Sequence, residues 1–250
     1  MATRDLRSLA RGVRRRLFPP QRIAPHPQWT AVEERMAKGG RVLDLGCGTT
    51  PHPRAGFAVD RHVEPEQRLH GEGARIRPEA FEEQGTKLAL ANLEALPFAD
   101  GAFDFAYSHH VFEHLEHPER ACAEMARVAR AGVVITPSVF AEQAFGRPYH
   151  LWMVASVGGT LVFLRKTPDL DRPFGVHPRK GADGRFRIEA DSNPFDLLLN
   201  TPGWYRGRER MPRLSRRLRE LWFGHHPVLE VVHHWEGDLD CVVIDENGVR

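Results

Sequence analysis

Four short apolar runs in the first half of the chain each end beside a polar residue or a glycine. Continuous apolar runs of this length are typical of strands that are covered on both faces of a sheet. Val42, Leu43 and Leu45 belong to the first run, which opens directly onto Gly46. The runs at residues 41–45, 56–60, 88–92 and 102–108 therefore predict four strands.

Helical periodicity occurs before and after these runs. Residues 29–38 predict a helix that ends at Gly39 and Gly40, and residues 118–131 predict a second helix with one apolar stripe. Gly132 is expected to end the second helix before a strand at 133–135. Because strands alternate with helices, the sequence predicts an α/β fold with a doubly wound, Rossmann-like, mostly parallel sheet. Ligands of such sheets bind at the carboxyl ends of the strands.

Two β-rich runs lie near the C-terminus, at residues 228–235 and 239–244. They are joined by Glu236, Gly237 and Asp238, which are typical turn residues. This pattern predicts a C-terminal antiparallel hairpin.

The glycines after the first strand and the acid after the second predict a site for a nucleotide-sized ligand. Gly46 and Gly48 allow positive φ and let the backbone approach a ligand without a Cβ in the way. Asp60 ends the second strand, where a carboxylate can accept hydrogen bonds from both hydroxyls of a ribose. A dinucleotide site would need a third glycine at position 51, which is a proline and lacks an N–H.

The motifs stand in an order that resembles a known family. Residues 42–48 read Val-Leu-Asp-Leu-Gly-Cys-Gly, and they are followed by Val59-Asp60, Glu94-Ala-Leu-Pro-Phe, Phe103-Asp104 and Val111-Phe-Glu-His, with Pro118 beyond. As an ordered set over residues 40–137, they resemble the class I S-adenosylmethionine-dependent methyltransferases, particularly the small-molecule and lipid-modifying branch (methyltransferase type 11-like). The resemblance implies S-adenosylmethionine as the cofactor and a sheet that closes with an antiparallel strand pair.

The resemblance also implies which residues form the cofactor site. The glycine loop would surround the methionine part of the cofactor, and the acid after the second strand would hold the ribose. Residues 92–94 would border the adenine, and the tip of the fourth strand would lie beneath the methyl-donating sulfur. The complete set is Asp44, Gly46, Cys47, Gly48, Asp60, Asn92, Leu93, Glu94, Ser108 and His109.

The chain departs from the family's pattern between the first two strands. The family usually has a third small residue where Thr50 stands, and it has a full helix before the second strand. Here only thirteen residues separate Gly46 from Asp60, and they include Pro51 and Pro53. The helix is therefore predicted to be short or absent.

Histidine and glutamate are concentrated after the fourth predicted strand. His109, His110, Glu113 and His114, together with His150, are candidate bases for an acceptor hydroxyl or amine. Glu113 and His114 could instead be structural. His110 and His114 have the i, i+4 spacing of two metal ligands on one helix face, but no matching set of carboxylates accompanies them, so no metal is predicted.

Composition and charge agree with a compact enzyme. The chain of 250 residues is 41% hydrophobic and 27% charged, and its three cysteines are widely spaced, as is typical of a reducing compartment. Its longest apolar stretch falls short of the roughly 20 residues that span a bilayer, and no secretory signal is evident. The sequence therefore predicts a cytoplasmic protein without a transmembrane segment.

Arginine is concentrated in two segments although the net charge is only +2. Residues 4–22 contain seven arginines, and residues 206–219 contain another seven. In the first segment, apolar residues at helical spacing predict a basic amphipathic helix, which either lies on anionic lipid or RNA or packs on the domain. The two segments predict an anionic surface or an acidic partner.

A single methyltransferase domain is predicted for residues 1–250. Residues 1–28 form its basic N-terminal segment, 29–137 the cofactor-binding core, 138–226 an insertion and 227–250 the closing hairpin. The insertion, roughly ninety residues where the family's core needs a helix and short loops, contains aromatic residues and methionine near residues 149–153. It is predicted to be an acceptor lid or an accessory core.

Three functions are compatible with these observations. The first is methyl transfer from S-adenosylmethionine to a small-molecule or lipid-like acceptor, by in-line displacement. The second is RNA methylation, which the arginine segments favour but the sequence Ser108-His109-His110-Val111 does not, since base-amino methyltransferases carry Asn-Pro-Pro-aromatic there. The third is a non-catalytic scaffold or partner subunit that keeps the fold.

Overall fold

The computed structural model describes residues 27–37, 40–64, 67, 75–145, 149–167, 179–180, 186–187 and 226–250. The arginine segments at 4–22 and 206–219 lie outside these residues. The helices are α1 (Pro27–Ala37), α2 (Pro78–Glu83), α3 (Pro118–Val128), α4 (Val139–Phe145) and α5 (His226–Leu229), with a 3₁₀ turn at Phe112–His114. The strands are β1 (Val42–Leu45), β2 (Phe57–Asp60), β3 (Lys87–Leu90), β4 (Phe105–His109), β5 (Ala131–Pro137), β6 (Trp152–Val157), β7 (Thr160–Arg165), β8 (Arg179–Lys180), β9 (Phe186–Arg187), β10 (Glu230–Glu236), β11 (Cys241–Asp245) and β12 (Gly248–Val249).

The central sheet has six strands in the order β10-β5-β4-β1-β2-β3. Strands β1 to β5 pair in parallel, and β10 is antiparallel to β5. All four residues of β1 are buried, as expected of a strand covered on both faces. The strand order reverses at β1, so its carboxyl end lies at the switch point where such sheets bind ligands. The predicted doubly wound, mostly parallel sheet is confirmed.

The helix before β5 is shorter than the sequence predicts. α3 begins with Pro118 in its first turn and buries one apolar stripe, but it ends at Val128 rather than at residue 131. The prediction that Gly132 ends this helix is wrong, because Gly132 lies inside β5. A Cβ there would come 2.3 Å from the carbonyl oxygen of Ala106 and 2.9 Å from the ring of Trp235. The glycine is required for close packing inside the sheet.

β10 and β11 do not form the predicted antiparallel hairpin. β10 pairs with β5 in the central sheet, whereas β11 pairs in parallel with β7, in a second sheet of order β12-β11-β7-β6. Between them, Gly237 has φ 79° and donates its N–H to the carbonyl of Arg130 at 2.9 Å. This turn therefore leads the chain from one sheet to the other. Alternation and β propensity indicate that a strand forms but not which partner it takes.

The second sheet packs into the main core. Trp152, Val154, Leu161, Phe163 and Val243 are at most 1% exposed and belong to the cluster that contains the core of the central sheet. β6 and β7 therefore make part of the predicted insertion a structural core. The lid role and the domain boundaries at 1–28, 29–137, 138–226 and 227–250 stay predictions. Among the described residues, no helix combines the length and the apolar character needed to cross a membrane.

Candidate active site

The loop after β1 is held against the tip of β2 by backbone hydrogen bonds. The N–H groups of Gly46 and Cys47 both donate to the carbonyl of Val59, at 2.8 and 3.1 Å. Residues 46–56, all of them described, form turns and no helix, which confirms the predicted loss of the helix between β1 and β2. The position of the loop is therefore set by β2.

Gly46 brings this loop against the segment that follows β4. Its φ is 75°, a conformation that favours glycine. A Cβ at Gly46 would lie 2.3 Å from Cγ2 of Val111, well inside the normal contact distance between carbon atoms. Any side chain at this position would therefore push the loop and the segment after β4 apart.

Asp60 joins the tip of β2 to the glycine loop. Its Oδ2 accepts a hydrogen bond from the N–H of Gly48 at 2.9 Å, and its Oδ1 accepts from the N–H groups of Arg61 at 2.8 Å and His62 at 3.4 Å. These hydrogen bonds fix the orientation of the Asp60 carboxylate at the tip of β2.

Asp44 is a buried acid beneath the glycine loop. Its side chain is 3% exposed, and its Oδ2 accepts a hydrogen bond from the N–H of His52 at 2.7 Å. Burial raises the pKa of Asp44 to about 7; the charge of Asp60 raises it too, and the hydrogen bond from His52 opposes both. A cationic group bound close to Asp44 would stabilise its charged form.

A cavity of about 560 Å³ opens at the carboxyl ends of the central strands. This volume falls in the range of roughly 300–1,000 Å³ that is typical of small-molecule sites. We call the lining residues Gly46, Asp60 and 92–94 the cofactor wall. We call the lining residues His110, His114 and Tyr149 the histidine wall.

The cavity brings together half of the predicted cofactor residues and two of the predicted catalytic residues. Gly46, Asp60, Asn92, Leu93 and Glu94 line it on the cofactor wall. Residues 92–94 are fixed by a hydrogen bond from the N–H of Glu94 to Oδ1 of Asn92 at 3.2 Å. His110 and His114 line the histidine wall.

The other predicted residues do not line the cavity: Asp44, Cys47, Gly48, Ser108, His109 and Glu113. The Ser108 side chain is fully buried and donates from Oγ to the carbonyl of Leu45 at 3.0 Å. Cys47 packs in a small apolar cluster with Ala58 and Phe81. The side chains of Ser108 and Cys47 therefore pack inside the protein, behind the site.

Seven further residues line the cavity without having been predicted as individual site residues. Arg61 and His62 directly follow Asp60, while Val111, Leu115 and Glu116 flank the two histidines, so proximity in sequence was an available signal for these five. Tyr149 belongs to the aromatic segment at 149–153 of the predicted insertion, and Gln67 lies seven residues after Asp60.

A series of histidine–glutamate contacts lies behind the histidine wall. Oε1 of Glu230, at the start of β10, lies 3.4 Å from Nε2 of His109 and 3.1 Å from Nε2 of His110. Oε1 of Glu113 lies 3.3 Å from Nδ1 of His110 and 3.8 Å from Nε2 of His114. Glu230 was not predicted as a site residue, because it stands more than a hundred positions after these histidines.

These contacts set the charges on this side of the cavity. Desolvation would lower the pKa of His110, but its contacts with Glu113 and Glu230 outweigh it and raise that pKa to about 10. Burial would raise the pKa values of Glu113 and Glu230, but the neighbouring histidines hold both below the usual range. Burial lowers the pKa of His109 despite its contact with Glu230.

The predicted helical relation between His110 and His114 is wrong. His110 has φ 56°, and the 3₁₀ turn covers only Phe112–His114. The two histidines instead belong to different groups of possible metal ligands, in each of which the ligand atoms lie within 4.8 Å of one another. One group is His109, His110 and Glu230, and the other is Glu113, His114 and His150.

Comparison with known proteins places residues 43–136 among methyltransferase domains. Residues 43–136 match the model of a family described as a methyltransferase domain. The chain is 32% identical over 109 residues to ajmaline N-methyltransferase of Rauvolfia serpentina, covering 39% of this chain and 35% of the relative. It is 36% identical over 108 residues to an uncharacterized methyltransferase of Mycobacterium sp. (strain JLS), covering 42% of this chain and 40% of that relative. The chain spans less than half the length of the first curated relatives that it matches.

Among solved structures, a possible histamine N-methyltransferase of Thermotoga maritima is 25% identical, with a TM-score of 0.34 over 57% of this chain and 64% of that one.

The sheet order, the glycine loop at its switch point and the acid at the tip of β2 define a Rossmann-like nucleotide-binding fold. Residues 43–136 carry a methyltransferase domain of the class I S-adenosylmethionine-dependent type. The cofactor that this domain indicates is S-adenosylmethionine.

Proposed function

We propose that this chain transfers a methyl group from S-adenosylmethionine to a small-molecule or lipid-like acceptor. The observation that carries the proposal is the cavity at the switch point, which is lined by Gly46, Asp60 and residues 92–94 together with His110 and His114. The family match over residues 43–136 includes all of these residues.

The cofactor wall fits the proposed cofactor. Gly46 and Asp60 line the cavity, and the carboxylate of Asp60, which the N–H of Gly48 orients, would accept hydrogen bonds from ribose hydroxyls. Asn92, Leu93 and Glu94 would border the adenine. Asp44, buried beneath the loop, would attract the cationic amino group of the methionine part.

S-adenosylmethionine supplies an activated methyl group on a sulfonium, so the protein's main tasks are to align the acceptor and exclude water. His110 and His114 line the cavity and are the candidates to contact the acceptor. Because the pKa of His110 is raised to about 10, its protonated ring would donate a hydrogen bond to the acceptor rather than remove its proton. His109 and Glu113 lie behind them and would act by positioning them.

The cavity combines polar groups with an apolar surface. Leu93, Val111, Leu115 and Tyr149 contribute apolar atoms between the charged residues. Such a mixture is typical of sites for drug-sized ligands, in which a few polar groups set the orientation. The name of the relative that methylates ajmaline is consistent with a small-molecule acceptor.

The first test is calorimetric titration of the purified chain with S-adenosylmethionine and S-adenosylhomocysteine, with NAD as the control. We expect micromolar binding of both sulfur nucleotides and none of NAD. A screen of apolar and anionic small molecules for methyl transfer follows. Tight binding of a protein partner without affinity for either sulfur nucleotide would instead support the scaffold function.

A further inference from the structure

Glu113, His114 and His150 converge beside the cavity from two parts of the chain. Glu113 and His114 belong to the 3₁₀ turn after β4, and His150 stands just before β6. One ligand atom of each lies within 4.8 Å of the others. The rings of His114 and His150 have centroids 4.6 Å apart and are nearly perpendicular, at 81°.

Glu113 carries a charge that the protein satisfies only in part. Its side chain is fully buried, and neither carboxylate oxygen accepts a hydrogen bond within the described structure. Buried carboxylates without hydrogen bonds are costly unless they are paired or bind a metal. Its ion-pair partner His110 also contacts Glu230, at 3.1 Å, so Glu113 can bind another cation without leaving His110 unpaired.

His150 is oriented in the way that metal-binding histidines usually are. Its Nδ1 shares a hydrogen bond with Oε1 of Glu142, and Glu142 is 3% exposed. The other oxygen of Glu142 accepts from Nζ of Lys166 at 3.3 Å. A carboxylate on one ring nitrogen fixes the tautomer and leaves Nε2 as the nitrogen for a metal bond.

We propose that Glu113, His114 and His150 bind one divalent transition-metal ion at the edge of the cavity. Two imidazoles and one carboxylate suit Zn²⁺, Fe²⁺ or Co²⁺, whereas Mg²⁺ prefers oxygen ligands. Three protein ligands leave a coordination position open, and His114 and Tyr149 line the cavity beside the group. The ion would therefore be accessible to an oxygen or nitrogen atom of a molecule in the cavity.

Zinc binding to the untagged chain of 250 residues tests this proposal independently of any enzymatic activity. The chain is stripped with a chelator, dialysed and titrated with Zn²⁺ by calorimetry, and parallel titrations use Mg²⁺. We expect one Zn²⁺ per chain and no heat from Mg²⁺. A stripped wild-type chain that does not bind Zn²⁺ would overturn the proposal.

Four variants locate the ion. Glu113→Gln and His150→Asn should each weaken Zn²⁺ affinity at least about 10-fold, because each removes one ligand. The control His117→Asn changes a histidine with 43% side-chain exposure on the same segment and should bind like wild type. His109→Asn should also bind like wild type; its loss of binding would assign the ion to His109, His110 and Glu230 instead. Undiminished binding in both ligand variants would likewise contradict the proposed site.

A measurement on the wild-type chain avoids the risk that a variant fails to fold. Co²⁺ bound in four- or five-coordinate geometry absorbs visible light far more strongly than hydrated, six-coordinate Co²⁺. We expect the strong bands to rise until one Co²⁺ per chain is bound, and added Zn²⁺ to remove them. Only the weak spectrum of hydrated Co²⁺ would contradict an ion held by these residues.

Discussion

Buried carboxyl groups lie behind both walls of the cavity, but their pKa values are shifted in opposite directions. Asp44, beneath the cofactor wall, receives a backbone hydrogen bond, and its pKa is raised to about 7. Glu113 and Glu230, behind the histidine wall, have histidine partners that hold their pKa values below the usual range. The histidine wall thus carries its own cation, His110, whereas the cofactor wall is suited to a cation that arrives with the ligand. S-adenosylmethionine brings both an amino group and a sulfonium.

The largest effect is expected at Gly46, where the glycine loop packs against Val111, the neighbour of His110 in sequence. Gly46→Val would place a side chain at φ 75° and into Val111, costing about 2–5 kcal/mol in strain and overpacking. Affinity for S-adenosylhomocysteine should fall at least about 100-fold, measured by calorimetry alongside urea unfolding.

Gly56→Ala is the matched control for Gly46→Val. Gly56 lies at the other end of the same loop, and a Cβ there would meet no atom within 4 Å. This variant should bind the cofactor as wild type does. Similar losses in both variants would mean that the loop as a whole, rather than the contact with Val111, limits binding.

Asp44 should make the protein less stable as the pH rises. An acid whose pKa is lowered by an ion pair does the opposite. Folded Asp44 keeps its proton up to about pH 7, whereas in the unfolded chain the carboxyl group releases it near the ordinary aspartate pKa of 3.8. Its contribution to stability is therefore complete below about pH 4 and is lost as the pH rises through 7. A difference of about three pKa units corresponds to at most about 4 kcal/mol.

Asp44→Asn isolates this contribution, because the amide oxygen can still accept the hydrogen bond from His52. Urea unfolding at pH 5 and pH 8 should show a smaller loss of stability with rising pH in the variant than in wild type. Equal losses would show that Asp44 is paired or solvated in solution, and the contrast between the two walls would then be wrong.

Asp60 should matter more for binding than for folding. Asp60→Ala removes the proposed ribose acceptor and the acceptor of the Gly48 N–H. Affinity for S-adenosylhomocysteine should fall about 30- to 100-fold, or about 2–3 kcal/mol, as expected for hydrogen bonds to a charged group. Asp60→Asn keeps one acceptor oxygen and should lose less. Wild-type affinity in Asp60→Ala would remove this residue from the site.

The cofactor wall was largely predictable from sequence because its geometry is local. Gly46 and Asp60 stand at the ends of adjacent strands, and the patterns that predict those strands also predict that their ends meet. The glycine requirement comes from backbone conformation, which a motif records directly. The side-chain positions of Ser108 and Cys47 were not predictable in the same way, because they depend on which face of the backbone each one takes.

The histidine wall shows why the rest could not be predicted. Glu230 reaches His109 and His110 only because β10 pairs with β5, and sequence alternation favoured a hairpin with β11 instead. His150 reaches His114 only because β6 joins the second sheet and returns the chain to the 3₁₀ turn. Pairings between distant strands depend on the competition between all available partners, which no single segment records.

The smallest effect is expected at Tyr149, the member of the histidine wall that lies farthest along the chain from the glycine loop. Its ring stacks on His114 at 5.8 Å between centroids and lines the cavity. If the walls divide the cavity between cofactor and acceptor, Tyr149→Ala should change affinity for S-adenosylhomocysteine less than about 3-fold, or under about 0.7 kcal/mol. A loss as large as that of Asp60→Ala would mean that the cofactor extends across to the histidine wall. The acceptor would then have to enter from another direction, so this variant tests the division of the cavity itself.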